Sequence, residues 1–586
     1  MRQRVVDLVA QGDRLFSKRQ GLVSLWQEIS ENFYPERADF TVQRNVGADM
    51  ASNLMDSYPL LCRRELANSF SSMLRPVGRP WFKIRAVDDD RNKDAEARRW
   101  LDWASGVQQR AMYERQAGFV RATKEGDHDF ATYGQCVIEP TYRTNMEGLL
   151  YRSWHLRDVV WAENAELAID VLHRKWKMSV REAYRRWPDK MPDPLKQKLK
   201  DDPFCEVQIR HIVLPSDQYD WMDPMQKQRQ RIKRPSVSIF VDVDHQTVLE
   251  EIGVQGLGYV IPRWQTVSGS QYAHSPATVA ALANSRLLQR MSLTLLEAGE
   301  KAVDPPLVAA SEAIQGGVNM MAGGVTYVDS EYDERLGEAL RVLNRDVGRG
   351  LAFGQDEIAA TREIVNHAFF LNKINLPETG REMTAFEVAK RMDEYVRGAL
   401  PLFEPAEHEY NGGLCDDTMQ LLLRAGTFGR PDTLPKSLQG QDVRFVYESP
   451  LQAATDRAKA EAFQETALLL RAAAEMELAG NTVVNTSLAL RDALDGIGAP
   501  AQWLRTQEEE EAAIAEKQAA AAAQQEILAA QQQAETVGAI GQGVQQLQGA
   551  GVLPTNPLEV MAGGADPRMA NALIPEAAPE PIQEAA

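Results

Sequence analysis

Residues 371–388 read LNKINLPETGREMTAFEV, and they join two helical patterns. Upstream, from about Gln355 to Phe370, the apolar residues Ile358, Val365 and Phe369 fall on one side of a helical repeat. Downstream, Thr384 and Glu387 form a capping box, with Met383 and Val388 at the two hydrophobic-staple positions. Residues 371–383 therefore read as a loop clamped between two helices. Pro377 and Gly380 set its turn, Lys373 and Arg381 flank it with positive charge, and Glu378 tempers that charge.

Part of the loop spells LPETG (376–380), which looks like the sorting signal of surface-anchored proteins. Anchoring by that route requires an apolar segment and a basic tail directly after the motif; here a capped helix and the rest of the chain follow. The opening MRQRVVDLVAQGDRL lacks the apolar core of a signal peptide, and no run approaches the ~20 apolar residues of a membrane span. Neither secretion nor membrane insertion is expected.

At 586 residues, 44% hydrophobic and 25% charged, the chain has the composition of a folded protein with room for several cores. Cys62, Cys136, Cys205 and Cys415 lie far apart without a CxxC pair, which argues against a disulfide scaffold or a zinc site. Charge is uneven. Residues 1–300 carry 43 Lys+Arg against 40 Asp+Glu, and residues 301–586 carry 22 against 43, so the net −18 resides in the second half. A half so acidic does not grip nucleic acid nonspecifically, because that demands neutralisation of phosphates by Lys and Arg.

Ten of the eleven tryptophans precede residue 265, so residues 1–264 read as the main globular body. It opens with a helix in which Leu8, Leu15, Leu22 and Ile29 recur every seven residues, ending at Phe33-Tyr34-Pro35. VQIRHIV (207–213) and SVSIFVDV (236–243) alternate with period two and read as strands. Residues 275–302 make a long helix, with Ser275 at the N-cap, Pro276 first inside, and Leu282, Leu288, Met291, Leu295 and Leu296 as its apolar stripe. Strand-like LVAA and VTYV follow within 303–350. From 384 to about 534 the chain reads as mostly helical. Residues 507–534 are rich in Ala, Gln and Glu with few large apolar side chains, a helix that is solvated or packs against copies of itself. Residues 535–586 have the composition of a disordered tail. The fold class is α+β, predominantly helical.

Catalytic signatures are missing. The chain has no G-x-x-x-x-G-K-[ST] phosphate loop, no H-E-x-x-H and no G-x-S-x-G elbow. His128 in DHD (127–129) and His408 in EHE (407–409) are expected to be structural or solvated. Asp242 and Asp244 in VDVD are read as a solvated strand face; with His245 they are the one cluster from which a metal-dependent nuclease or hydrolase is built as an alternative. A coiled-coil adaptor is the weaker alternative. No catalytic residue, metal site or cofactor is assigned.

Four segments in order resemble the portal, or head-to-tail connector, proteins of short-tailed bacteriophages. They are DSYPLLCRRELANSFSSMLRPVGRPWFKI (56–84), DHDFATYGQCVIEP (127–140), PRWQTVSGSQYAHSP (262–276) and REMTAFEVAKRMDEYVRGALPLFEPAEHE (381–409). The likeness spans roughly residues 1–510. One departure is Tyr272-Ala273-His274-Ser275-Pro276, where the family usually has Tyr-Gly-Arg-Ser-Pro; the alanine puts a positive φ there in doubt.

The resemblance implies a ring, expected to be a dodecamer, with wing, stem, clip and crown around an axial channel. It assigns 1–264 to the wing, 275–302 to a stem helix, 303–350 to the clip and 355–371 to the returning stem helix. Residues 371–383 become a tunnel loop, with Asn372, Lys373, Asn375, Pro377, Glu378, Thr379, Gly380 and Arg381 facing DNA. Residues 384–450 return to the wing, 451–534 build the crown, and 535–586 form the tail. The implied partners are double-stranded DNA, the terminase large subunit, a tail adaptor, and the major capsid and scaffolding proteins, but no membrane. The implied place is the portal vertex of a virion, after assembly in the host cytoplasm.

Overall fold

A computed structural model describes residues 2–219 apart from short gaps, 234–303, 347–374, 403–429 and 434–447, with isolated pieces elsewhere between 307 and 527. The chain divides into two compact units, Met1–Trp503 and Leu504–Ala586. In the second, residues 515–525 are helical and exposed. No helix among the described residues is long and apolar enough to cross a membrane.

The heptad-patterned opening forms two helices, α1 (Arg2–Lys18) and α2 (Gln20–Phe33), rather than the single one expected. The break falls at Arg19, whose Nη1 and Nη2 each donate at 2.7 Å to the carbonyls of Val159 and Arg157. Drawing a guanidinium into the interior fixes the bend, and no periodicity reports it. Burial pulls that group's pKa down to about 10.

The main core surrounds α2, α3 (Tyr58–Leu74), α4 (Ala95–Met112) and α5 (Phe119–Tyr133). Phe70 on α3 sits at its centre, edge-on to Phe130 at 5.3 Å, Trp264 at 5.1 Å and Phe403 at 5.4 Å. Each such side chain stabilises the fold by about 1.5–3 kcal/mol through burial, with a further increment from edge-to-face geometry. Two short sheets flank this core. One joins β2 (Ile138–Tyr142) to β3 (Leu149–Ser153), and the other pairs β1 (Phe82–Ala86) with a strand from far along the chain, described below.

A five-stranded antiparallel meander stands beside it, β4 (Val159–Glu163), β5 (Ile169–Ser179), β6 (Glu206–Pro215), β7 (Ser236–Asp242) and β8 (Thr247–Val254). The strands expected at 207–213 and 236–243 are β6 and β7. Both faces of this sheet are covered. Val5, Leu8 and Val9 of α1 meet Ile212, Leu214, Val237 and Ile239 on one side. On the other, helices α6 (Val180–Arg186) and α7 (Asp193–Asp201) seat Trp187 and Leu195 over Val207, Ile209 and Phe240.

The long helix expected over 275–302 is α8, Pro276–Val303. Short strands follow, β9 (Leu307–Ala309), β10 (Ile314–Gln315), β11 (Tyr327–Val328) and β12 (Leu340–Val342); β9 pairs with β12 and β10 with β11. The chain returns as α9, Val347–Ala368, which starts well before Gln355. Gly348, Gly350 and Gly354 hide that start from a propensity argument, but Gly354 serves the packing: a Cβ there would lie 2.8 Å from Leu295 of α8. After α10 (Leu371–Ile374) the described chain resumes near Phe403 and forms α11, Gly412–Arg424. The reading of 384–534 as mostly helical is corrected at β13, Val443–Tyr447, which pairs antiparallel with β1. Five residues of aromatic and β-branched character are too few to stand out in a helical neighbourhood, and their partner lies hundreds of residues away in sequence.

Candidate functional site at the root of the helix pair

Helices α8 and α9 run together out of the body, and the residues after α10 lead into the loop singled out from the sequence. The site is therefore the place where this pair is rooted. Its first fastening is the start of α8 on the end of α5. Ser275 Oγ donates to the Ala131 carbonyl at 2.7 Å and accepts from Thr278 N–H at 3.4 Å, while Thr278 Oγ1 donates to the Thr132 carbonyl at 2.8 Å. Gly134 ends α5 with φ +75°, and a side chain there would run into the backbone of His274 and Ser275. Trp264 N–H donates to the Gly134 carbonyl at 2.8 Å, and Ala273 N–H donates to Gln135 Oε1 at 2.9 Å. Ala273 is buried and has no positive φ, so alanine is compatible with this turn.

Asp56 makes the second fastening. One carboxylate oxygen accepts from Tyr58 N–H at 2.8 Å and so starts α3; the other accepts from Arg362 Nη2 at 2.8 Å and Nε at 3.2 Å on α9. From α8, Gln289 binds the backbone of the same residue twice, accepting from its N–H at 2.8 Å and donating to its carbonyl at 2.7 Å. Arg362 also lies 5.4 Å from the centre of the Tyr58 ring. One buried carboxylate thus ties α3 to both members of the pair. Asp56→Ala is expected to lower stability by about 2–4 kcal/mol and to speed hydrogen exchange in α9 more than in the five-stranded sheet. Equal exchange in both regions would show that Asp56 is not the tie.

The third fastening is the end of α9. Phe369 is buried edge-on to Phe33 at 5.4 Å, and Phe370 takes a left-handed conformation, φ +58°, that stops the helix. Leu371 is buried again, and α10 makes one helical turn. The loop expected from 371 thus has helical residues at its start, because an apolar anchor follows the helix stop. Asn372 and Lys373 are exposed on that turn, with the Lys373 ammonium 5.8 Å from the Phe370 ring centre. Asn375, Pro377, Glu378, Thr379, Gly380 and Arg381 lie outside the described residues, as do LPETG and the capping box.

Beneath the root, the DHD triplet faces three arginines, Arg37 from the turn after α2 and Arg63 and Arg75 from the body and end of α3. Asp127 pairs with Arg75 in full burial, Asp129 accepts from Arg37 at 2.7 and 3.1 Å, and His128 Nδ1 accepts from Arg63 Nη1 at 2.7 Å. Burial, followed by Arg63, pulls the His128 imidazole down to about 4, so it is a neutral acceptor at pH 7. Arg75 also donates to Asn411 Oδ1 at 2.7 Å and lies 4.6 Å from the Tyr410 ring centre. Burial acts to lower the Arg75 pKa, but the adjacent Asp127 carboxylate outweighs it and raises it. These arginines carry no local sequence signal. His408 is exposed in the π-helical turn Ala406–Asn411, while its neighbour Glu409 accepts from Arg263 N–H at 2.8 Å.

Of the two carboxylates read as a solvated face, Asp244 is exposed as expected, but Asp242 is not. Asp242 is fully buried at the β7–β8 turn, accepting from Asp244 N–H at 3.1 Å and contacting His245 Nδ1 at 2.7 Å. Its oxygens are committed to closing the hairpin. Among the described residues no group of His, Cys, Asp or Glu is arranged to hold a metal ion.

Three of the four resembling segments thus contribute to the rooting of the helix pair: Asp56 at the head of α3, the DHD triplet and Gly134 at the end of α5, and the turn into α8. The model of the family described as bacteriophage head to tail connecting protein matches residues 7–504. The chain is similar to the "Probable portal protein" of Bordetella phage BPP-1, 25% identical over 452 residues, covering 76% of this chain and 78% of that one. It is also similar to the "Portal protein" of Salmonella phage epsilon15, 23% identical over 454 residues, covering 75% and 78%. A chain from the virion of a native gene transfer agent particle aligns over 68% of this chain and 95% of its own, with 9% identity and a TM-score of 0.27, too weak a likeness to argue from.

Proposed function

This chain belongs to the bacteriophage head-to-tail connecting proteins, and from that premise we propose that it acts as a portal: copies close into a ring at one capsid vertex, and the ring is the channel for DNA. It is a structural connector in which no residue is given a catalytic role. In this reading α8 and α9 are the stem, the body to residue 264 is the wing, β9–β12 belong to the clip, and 371–383 is the tunnel loop. The ring, a dodecamer by family likeness, receives DNA driven by a terminase large subunit. It later carries a tail adaptor, and it sits among major capsid and scaffolding proteins. An acidic second half suits a passage that must not hold the duplex, since tight backbone binding needs many cations.

The observation that carries the ring is the helix pair itself. Beyond Leu288 no residue of α8 is buried, and past Ser292, which still bonds Asp56, the helix runs on for roughly 16 Å with exposed or half-buried residues. It bears Leu296 at 56% exposure and Val303 at 88%, with Phe353 of α9 at 71%. Apolar side chains this far from their own core are covered when copies stand side by side. Electron microscopy of the purified chain is expected to show rings with a central hole. Leu296→Glu with Phe353→Glu should weaken association by about a hundredfold or more, at about 1.5–3 kcal/mol for each apolar contact. A wild-type chain that stays monomeric at micromolar concentration, or a double variant that rings normally, would overturn the reading.

Deleting residues 374–380 tests the loop separately. Rings are expected to form as before, and packaged DNA per particle is expected to fall by an order of magnitude or more, the scale on which a lost positioning contact acts. Normal packaging by the deleted chain would remove the tunnel-loop assignment while leaving the ring intact.

A further inference from the structure

The face of the five-stranded sheet that carries α1 is apolar over part of its width and charged over the rest. Val171, His173 and Lys175 share that face of β5, and His173 and Lys175 stand directly opposite Ile212 and Arg210 on β6. Val171 and Ile212 pack against α1. Lys175 and Arg210 form a like-charge cross-strand pair, an arrangement that weakens a sheet. With Arg19, the same two side chains converge on the ring of Phe16 near the end of α1. The Lys175 ammonium lies 4.3 Å from the ring centre, the Arg19 guanidinium 5.0 Å and the Arg210 guanidinium 5.5 Å.

The three cations are answered unequally. Arg210 pairs with Asp13 at 2.9 Å, and Arg19 donates to the carbonyls of Val159 and Arg157. The Lys175 side chain is exposed and has no hydrogen bond or ion pair among the described residues. The other charged groups acting on it, Arg157 and Asp158, come from the 3₁₀ turn Leu156–Asp158 and pair with each other at 3.2 Å; Arg157 also pairs with Asp39. His173 adds no charge near neutral pH, since burial, followed by Arg210, pulls its imidazole down to about 3. The covering that Lys175 does have lowers its pKa. Asp158 opposes this, while the positive charges of Arg19, Arg210 and Arg157 reinforce it. Such a lysine carries more free amine at neutral pH than an ordinary surface lysine, and its cationic neighbours draw anions toward it.

We propose that Lys175 is a modification site, a nucleophilic amine that accepts an acyl group from anionic acyl donors, acyl phosphates in particular. The Nζ lone pair attacks the carbonyl carbon, and the bond from that carbon to the bridging oxygen breaks. Phosphate leaves with the electron pair, and one Nζ proton passes to water as the amide forms. Nothing is oxidised or reduced. Arg19 and Arg210 act here through their charge, which raises the local potential even while their N–H groups are engaged. The amide product is uncharged, so it ends the repulsion between Lys175 and Arg210.

The test treats the full chain with acetyl phosphate and follows acetylation of each lysine by peptide mass spectrometry. Lys198, exposed on α7, is the internal reference. Near neutral pH, Lys175 is expected to react about fivefold or more faster than Lys198. The advantage should shrink at high pH, where both amines are free, and in about 1 M salt, where charges more than about 3 Å apart are screened. With phenyl acetate, a neutral donor, it should be smaller than with acetyl phosphate. Asp158→Asn removes the opposing charge and should quicken Lys175 further. Arg210→Met should slow it toward the reference rate; should that variant fail to fold, Asp158→Asn carries the test. Equal rates at Lys175 and Lys198, or a rate at Lys175 that Asp158→Asn leaves unchanged or slows, would overturn the proposal. An equal advantage with both donors would overturn the anionic class of reagent.

Discussion

Replacing Arg75 by methionine is expected to lower stability by about 3–5 kcal/mol, read as a fall in urea midpoint at fixed protein concentration. Both members of the Arg75–Asp127 pair are almost wholly inaccessible, each side chain 2% exposed. Methionine fills much of the arginine's volume, so the loss is electrostatic rather than steric. It leaves the Asp127 carboxylate buried without a counter-charge and removes the donor to Asn411 Oδ1. The damage should spread, because Arg75 ends α3, Asp127 lies on α5, and Asn411 ends the turn Ala406–Asn411 that leads into α11. Arg75→Met combined with Asp127→Leu should recover a large part of the deficit, since removing both charges also removes their desolvation. A single variant within about 1 kcal/mol of wild type would show that the pair is not ionised.

Gly134→Ala is expected to be at least as severe, costing about 4 kcal/mol or more, or yielding insoluble chain. Two effects add. The φ of +75° costs an alanine about 1–2 kcal/mol. The new methyl group would also overlap the His274 carbonyl and the Ser275 nitrogen, backbone atoms held by the start of α8. Relief requires moving that start, and with it the root of the helix pair. Gly269→Ala separates the two effects, because Gly269 has φ +87° with open space around it. It should cost only the conformational part, about 1–2 kcal/mol, as a small shift in melting temperature. If the two variants melt together, the close approach at Gly134 does not constrain the fold.

The elements that could be read from the chain were those whose causes are local. Ser275-Pro276 starts a helix because a hydroxyl and a ring-locked φ act within one turn, and α8 begins there. Alternation over 207–213 and 236–243 marks strands because each residue's side is set by its neighbour, and β6 and β7 follow. The resemblance to the connector family rests on such local pieces taken in order. The expected helix start near Gln355 fell short because glycines weaken a propensity argument while packing on Leu295 favours them.

Composition, local pattern and motif order by themselves determined that this is a mixed α and β connector-family chain with a long helix over 276–303. Tertiary structure alone decided the rest. It broke the first helix at Arg19 by drawing that side chain to Val159, and paired β13 with β1. It turned Asp242 inward, made Asp56 the tie for two distant helices, and set the DHD triplet against Arg37, Arg63 and Arg75. The physical reason is common to all five. A buried charge or an unpaired backbone group is costly until it finds a partner, and the fold brings that partner from any distance along the chain.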